Sequence, residues 1–326
     1  MRFMARRLAF YLAAGWVAVT LNFLIPRLMP GNPVEILISR FPGQLSGSAT
    51  RALTAAFGLA SRQNLVQQYL TYVGNLAHGN LGLSITYYPS TVASVVRESL
   101  PWTLVLVGLS TVASFTLGTL IGILVAWRRS RWMDGLLPMT TFLAAVPYFF
   151  LALVAITVFA VTLHWLPASG GYDLGQQVSF SASFILSAGQ HAILPAITIV
   201  ASSIAGWMLG MRNVMITTMS ADYVLTAQAK GLSGRRVMFA YAARNAILPN
   251  VSGFALALGF VVGGAFLTEY VFSYPGIGYV LLQAVSNDDY PLMQGIFLII
   301  SLSVLAANLL ADACYVLLDP RIRRQG

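Results

Sequence analysis

The stretch SLPWTLVLVGLSTVASFTLGTLIGILVAW, residues 99–127, determines the class of fold. It runs for 29 residues without an aspartate, glutamate, lysine or arginine. About 20 apolar residues are enough to cross the hydrocarbon layer of a bilayer, and each charge at the bilayer centre costs roughly 2.5 to 3.5 kcal/mol. The stretch is therefore predicted to be a membrane-spanning helix.

The composition of the whole chain agrees with a lipid environment. Of its 326 residues, 57% are hydrophobic and 9% are charged, whereas roughly a quarter are charged in soluble domains. This excludes a disordered chain and an ordinary soluble domain, and it predicts an all-α polytopic membrane protein. Six charge-free segments are each predicted to hold one transmembrane helix: residues 8–26, 99–127, 135–172, 174–211, 245–268 and 290–311.

The basic residues predict the orientation of these helices. When the N-terminus is placed in the cytoplasm, most of the 19 lysines and arginines fall on the cytoplasmic side, as the positive-inside rule requires. Both termini are therefore predicted to be cytoplasmic. The net charge of +9 follows from the same rule, so no nucleic acid partner is needed to explain it.

Two connections between the predicted helices are long. The first, residues 29–99, is predicted to be an extracytoplasmic amphipathic subdomain, because apolar residues recur at helical spacing. There are two interpretations of its helix. In the first, the helix lies on the membrane surface or packs on its own protein; in the second, it provides a docking surface for a delivering protein. The residues at that spacing are Leu65, Tyr69, Tyr72, Val73 and Leu76.

The second long connection, residues 212–246, is predicted to be cytoplasmic and to form a helical hairpin. Residues 222–230 are predicted to be helical, 231–234 to be a turn, and 235–246 to be a second helix. Gly231 suits a helix C-terminus, where a left-handed backbone is favourable for glycine. The hairpin is either a solvated loop or a short helix seated in a groove of a cytoplasmic partner, and Ala227 and Ala229 are small enough to let another backbone approach.

Several kinds of chemistry are excluded by residue type. Lys230 is the single lysine and does not stand in a phosphate-binding loop, so no ATP site of that kind is predicted. His78, His164 and His191 are far apart in sequence and no cysteine cluster accompanies them, so neither a zinc site nor a catalytic site is predicted.

An intramembrane serine protease is the main enzymatic alternative, because residues 231–234 read G-L-S-G. Ser233 is flanked by Lys230, Arg235 and Arg236, and no histidine base follows it in the chain. A secondary transporter is the other rival, but no internal repeat is evident. Glu269 and Asp312 are interpreted as interfacial residues rather than proton relays.

Short motifs along nearly the whole chain resemble one family, the B-type permease subunits of bacterial ABC importers for dipeptides and oligopeptides. The most specific is the hairpin motif DYVLTAQAKGLS at 222–233, followed by RNAILP at 244–249. The family usually has acidic residues where Asn32 and Asn80 stand. The other matching motifs are LMPGNP at 28–33, FGL at 57–59, QY at 68–69, GNLGLS at 79–84, SLPWTL at 99–104, VFSYPGIG at 271–278, DYP at 289–291 and DPR at 319–321.

The resemblance implies a type I ABC importer permease fold in the bacterial cytoplasmic (inner) membrane, and a role in peptide import. The implied partners are a second, homologous permease subunit, two ATPase subunits that bind ATP and magnesium, and an extracytoplasmic peptide-binding protein. Nickel chelates, glutathione or another small solute are the alternative substrates. This chain itself is expected to hold no cofactor or metal and not to be an enzyme.

The resemblance also implies functional residues and a division of the chain. The predicted parts are an N-terminal helix at 1–28, the outer subdomain at 29–99, a five-helix core at 100–318 containing the coupling loop, and a cytoplasmic tail at 319–326. Tyr274, Pro275, Gly276 and Gly278 are assigned to the extracytoplasmic gate, and a plain interhelix turn is the alternative. The ATPase-coupling residues are assigned as Asp222, Tyr223, Ala227, Ala229, Lys230, Gly231, Leu232, Arg235 and Arg236.

Overall fold

The computed structural model describes residues 2–28, 64–128 and 131–318, which are mostly helical and contain no β-strand. The predicted tail 319–326, the first part of the outer subdomain and the motifs within 29–63 lie outside the described residues. The helical segments are α1 Arg2–Leu28, α2 Leu65–Ala77, α3 Val92–Arg128, α4 Arg131–Ala145, α5 Tyr148–Thr162, α6 Ala182–Met219, α7 Asp222–Ala229, α8 Gly234–Ala246, α9 Leu248–Gly263, α10 Phe266–Val271, α11 Ile277–Ser286 and α12 Tyr290–Leu318.

The number of membrane spans agrees with the prediction of six when two broken helices are each counted once. Among the described residues, α1, α3, α6 and α12 are long and apolar enough to cross a bilayer. The α4–α5 pair is bent by 97° and the α8–α9 pair by 52°, and each pair has the composition of one further span. Pro147, immediately before α5, interrupts the first pair because proline has no backbone N–H to donate.

The start of the hairpin connection is later than predicted. The charge-free segment ends before Arg212, but α6 continues to Met219. A single charge marks the edge of an apolar segment, whereas helical backbone hydrogen bonding continues past it until a cap is reached. The hairpin itself therefore begins near Ser220.

The structure divides into two compact units. The described part of the first comprises residues 2–28, 64–102 and 276–318, and α1 packs along α12 within it. Two amides join these helices: Asn22 Nδ2 donates to the Gln294 carbonyl at 2.7 Å, and Gln294 Nε2 donates to the Asn22 carbonyl at 3.2 Å. Each apolar span thus supplies a polar partner for the other, as a low-dielectric environment requires.

Helix α2 lies against α1 through aromatic side chains. The ring of Phe23 is 5.2 Å from that of Tyr69 and 5.5 Å from that of Tyr72, and the Arg27 guanidinium lies 3.6 Å from the centre of the Phe23 ring. The Tyr69 hydroxyl also forms a 2.8 Å hydrogen bond with the Thr20 hydroxyl. Of the two alternatives for this amphipathic helix, these contacts support packing on its own protein.

A buried aspartate fixes the start of α12 and the loop before α3. Asp289 is fully buried and accepts hydrogen bonds from Ser84 Oγ at 2.5 Å, the Thr86 amide at 2.8 Å and the Leu292 amide at 3.1 Å. The last bond caps the N-terminus of α12, where an anionic acceptor is favoured. One carboxylate therefore connects the helix to a loop about 200 residues earlier in the sequence.

The second unit comprises residues 103–128 and 131–275 of the described chain, and it depends on a close crossing of α3 and α6. A Cβ on Gly118 would lie 2.7 Å from the Ile204 carbonyl oxygen, and a Cβ on Gly122 would lie 2.6 Å from that of Met208. Small residues four apart let two helix backbones approach in this way inside a membrane.

Helix α9 is attached to this crossing by one amide. Asn250 Nδ2 donates to the Trp207 carbonyl at 3.0 Å and to Thr119 Oγ1 at 3.3 Å, so that it contacts both α6 and α3. The rings of Phe115 and Phe254 stack at 4.3 Å beside Trp207. Helices α4 and α5 pack on other parts of α6.

The glycine crossing gives a stability prediction. Gly122→Leu places a side chain against the α6 backbone and should cost about 1 to 3 kcal/mol, the usual range for overpacking. The control is Gly189→Leu, which makes the same substitution at a glycine of α6 with open space around the added Cβ. The melting temperature of the detergent-purified protein is measured, and equal values for the two variants would contradict the role of Gly122.

Candidate functional site

The predicted hairpin is present and its two helices have nearly the predicted ends. Helix α7 spans Asp222–Ala229 and has Lys230 as its C-cap, and α8 spans Gly234–Ala246. Residues Val237–Ala243 in the middle of α8 form a π-helical segment. Such insertions in α-helices occur frequently at functional sites.

The turn between the helices is tightly specified by its hydrogen bonds. The Gly231 amide donates to the Gln228 carbonyl at 2.9 Å, and the Leu232 amide donates to the Ala227 carbonyl at 3.4 Å. With φ of +72° at Gly231, this pattern is a Schellman motif, which ends a helix through a left-handed residue. The prediction that Gly231 ends this helix in a left-handed conformation is therefore confirmed.

One face of the hairpin is buried against the ends of α3 and α6. Val224 and Ala227 of α7 pack in a cluster with Ala242 and Ala246 of α8, and all four are at most 2% exposed. Leu232 packs against the same cluster from the turn. The other buried members of the cluster are Ile123, Ala126, Met211, Met215, Val237, Met238 and Ala243.

The opposite face of the hairpin is exposed, apolar in part and basic. Tyr223, Leu225 and Phe239 are between 41% and 49% exposed. The basic side chains Lys230, Arg235, Arg236 and Arg244 are also exposed, and none forms an ion pair within the part of the chain that the structure describes. This combination of anchoring apolar residues and unpaired cations suits a surface that contacts another protein.

The structure separates the predicted coupling residues into two groups. Ala227 and Leu232 face the chain's own core, so the small side chain of Ala227 serves the packing of α7 rather than the approach of another protein. The exposed group consists of Asp222, Tyr223, Ala229, Lys230, Gly231, Arg235 and Arg236. Sequence spacing alone did not distinguish the two groups.

The predicted gate residues lie where α10 is followed by α11. Tyr274 is 1% exposed, Gly276 caps α11, and Gly278 is buried in its first turn. Pro275 is partly buried. The Tyr274 amide donates to the Glu269 carbonyl at 2.8 Å. Burial raises the pKa of the Tyr274 hydroxyl well above its ordinary value, and the nearby Glu269 raises that pKa further.

Glu269, interpreted from the sequence as an interfacial residue, is enclosed by the protein. Its side chain is fully buried, and it accepts a hydrogen bond from Thr103 Oγ1 at 2.9 Å. Gly264, with φ of +72°, leaves room for the carboxylate, because a Cβ there would lie 3.2 Å from Glu269 Oε1. Only tertiary packing reveals this, since the glutamate stands at the end of an apolar segment in the sequence.

Sequence reasoning also missed Asn250. It is a buried amide in α9, three residues after the bend at Ile247, and it lines a cavity together with Trp207. The one sequence feature that could have identified it is a polar side chain inside a charge-free segment, residues 245–268. Polar residues in such segments often mark functional positions.

Ser233 is exposed and sits in the turn between α7 and α8, outside the apolar helices. This position agrees with rejecting it as an intramembrane nucleophile. Among the described residues, no three His, Cys, Asp or Glu side chains come together as ligands for a metal ion.

Comparison with known proteins identifies the relatives of the chain. It is 37% identical to the Di/tripeptide transport system permease protein DppB of Pseudomonas aeruginosa (strain UCBPP-PA14), over 99% of both chains. It is 31% identical to the Oligopeptide transport system permease protein AppB of Bacillus subtilis (strain 168), over 93% of both chains. It is also 31% identical to the Glutathione transport system permease protein GsiC of Escherichia coli O6:H1, over 99% of both chains.

The similarity to these proteins extends over both compact units. Residues 118–324, which include the glycine crossing, the hairpin and α12, match a family described as the inner membrane component of binding-protein-dependent transport systems. The apolar helices described above agree with a multi-pass location in that membrane. The chain therefore belongs to the family of binding-protein-dependent transport system inner membrane components.

Proposed function

We propose that this chain is the permease subunit of an ATP-driven, binding-protein-dependent importer of dipeptides or oligopeptides. The observation that supports this most is the hairpin, which is fixed to the protein on one face and exposed on the other. A mechanical coupling element needs both properties, because force applied to the exposed face must move the membrane helices rather than only the loop.

Two ATPase subunits are proposed to bind the exposed face of the hairpin from the cytoplasm, with ATP and magnesium on those subunits. This requires both termini of the chain to be cytoplasmic, as the basic residues predict. Tyr223, Leu225 and Phe239 would fill a groove in the ATPase, while Lys230, Arg235 and Arg236 would meet acidic groups around it. The buried cluster beneath would carry the motion into α3 and α6.

A homologous second permease subunit and an extracytoplasmic peptide-binding protein complete the proposed importer. Peptide is the proposed substrate because the two relatives named for dipeptide, tripeptide or oligopeptide transport cover both units of the chain. Glutathione is the second candidate, since GsiC is similar over nearly the full length. Glutathione is itself a tripeptide, so one path could suit both.

The coupling role predicts the behaviour of two variants. Ala229→Glu should lower uptake at least about tenfold, because a charge at an exposed position would have to be buried in the groove, and tenfold corresponds to about 1.4 kcal/mol of lost association energy. Gly231→Pro should do the same, because proline can neither adopt a positive φ nor donate the hydrogen bond to Gln228. Uptake of a labelled dipeptide is measured in proteoliposomes containing the complete importer.

The controls are Ala229→Ser, which keeps a small side chain, and Gly231→Asn, since asparagine tolerates the left-handed backbone. Both should transport at rates near that of the wild type. Co-purification of the ATPase subunits is measured in parallel and should fall for Ala229→Glu. Normal uptake by both disruptive variants, at wild-type abundance, would refute the coupling role.

The turn formed by Tyr274, Pro275, Gly276 and Gly278 is proposed to be the extracytoplasmic gate. Tyr274→Ala should loosen this turn, because it removes a buried ring that packs beside Glu269, and should raise ATP hydrolysis without a gain in uptake. Tyr270→Ala, at a 44% exposed position of α10 just before the turn, is the control. Unchanged hydrolysis and uptake in a stably folded Tyr274→Ala protein would identify a plain interhelix turn.

A further inference from the structure

A cavity of about 500 Å³ lies among α3, α6 and α9 within the second unit. This volume is within the range of small-molecule sites, roughly 300 to 1,000 Å³. Its walls include three hydroxyl residues, one indole and one amide: Thr111, Ser114, Ser203, Trp207 and Asn250. All are uncharged, as are the glycine, alanine and proline residues that complete the lining.

The polar groups of the lining include hydrogen-bond acceptors and two donors, the Ser203 hydroxyl and the Trp207 indole N–H. The hydroxyls of Thr111 and Ser114 donate to carbonyls of their own helix, at 2.7 and 3.0 Å. Ser114 is fully buried, whereas the partly buried Thr111 leaves its lone pairs for a ligand. Asn250 uses its Nδ2 group on Thr119 and Trp207, and its Oδ1 atom receives no hydrogen bond from the described residues. Ser203 also lines the cavity, and its hydroxyl can both accept and donate a hydrogen bond.

This arrangement suits ligands that both donate and accept hydrogen bonds. A lining with neutral acceptors and donors can accept from amides and from an ammonium group, and it can donate to carbonyl oxygens. The indole of Trp207, partly exposed and held by Phe115 and Phe254, adds an aromatic surface that attracts a cation. The backbone of a short peptide with a free N-terminus has these groups whatever its side chains.

The cavity is also close in sequence to the coupling hairpin. The hairpin ends at Ala246, the α8–α9 bend follows, and Asn250 is in the first turn of α9. A shift of the hairpin would therefore reach Asn250 through the α8–α9 bend. A Cβ added to Gly210 would lie 2.9 Å from Asn250 Oδ1. The glycine therefore leaves the room that Asn250 occupies.

We propose that this cavity is a transit subsite that binds the backbone of a short peptide through hydrogen bonds to its N–H and C=O groups, without selecting side chains. The inference rests on the proposed function, since it assigns a place on the path to the substrate of that importer. Binding through a few neutral hydrogen bonds is weak, and weak binding suits a site from which the peptide must leave.

Filling the cavity tests its role in transport. Gly206 lines it on α6, and a Cβ added there meets nothing within 4 Å, so Gly206→Phe should fold while occupying the space. Gly189→Phe is the control, because Gly189 is on the same helix, is equally open and is not part of the lining. In proteoliposomes containing the complete importer, Gly206→Phe should reduce uptake of labelled dialanine at least tenfold and Gly189→Phe less than twofold.

Chemical protection tests binding directly, without the binding protein. Cys314 is the single cysteine, so Ser203→Cys in a Cys314→Ser background gives one thiol at the cavity. Dialanine should slow its alkylation by a small maleimide, and should not slow alkylation at Gly189→Cys. The ester analogue of dialanine, which lacks the amide N–H, should need a concentration about 2- to 10-fold higher for equal protection, as expected for one lost hydrogen bond.

The outcomes distinguish this inference from the proposed function. If the wild-type importer fails to take up peptide, the proposed function fails. If the wild type transports but Gly206→Phe equals Gly189→Phe, or dialanine gives no protection at Ser203→Cys, the subsite is refuted. The cavity is a subunit contact if purified Gly206→Phe loses the second permease subunit, or if alkylation is already blocked in the complex without peptide. Either result would also overturn the proposal.

Discussion

The second unit depends on the contact between the backbones of α3 and α6 at Gly118 and Gly122. In lipid, two apolar helices gain little from the hydrophobic effect when they associate, so close packing must supply the attraction. Glycines four residues apart allow the Ile204 and Met208 carbonyls to lie where side chains would otherwise be. Everything that attaches to this pair, including α9 and the hairpin, takes its position from that crossing.

Polar groups at the helix contacts give the second level of organisation. Asn22 with Gln294 joins α1 to α12, Asp289 joins α12 to the loop before α3, and Asn250 joins α9 to α3 and α6. A buried polar group without partners is costly where no water can reach it. Each of these groups therefore favours one arrangement of the helices, whereas apolar contacts alone would permit several.

The proposed coupling hairpin combines local and tertiary determinants. Its helix end is encoded locally, because Gly231 takes the left-handed conformation and the two Schellman hydrogen bonds follow from it. Its rigidity comes from elsewhere in the chain, because Met211 and Met215 of α6 and Ile123 of α3 form the surface on which Val224 and Ala227 pack. The proposed transit cavity is formed by α3 and α6 together with α9.

The sequence by itself determined the class of fold, the approximate positions of the spans, the two hairpin helices and the glycine between them. These features follow from the absence of charge over a bilayer thickness and from backbone conformations that only glycine adopts easily. The tertiary structure alone decided that Ala227 is buried while Ala229 is exposed, that Glu269 is enclosed by the protein, and that Asn250 and Trp207 line one cavity. Such properties depend on which helices meet, and that is set by contacts between residues far apart in the chain, which local spacing does not encode.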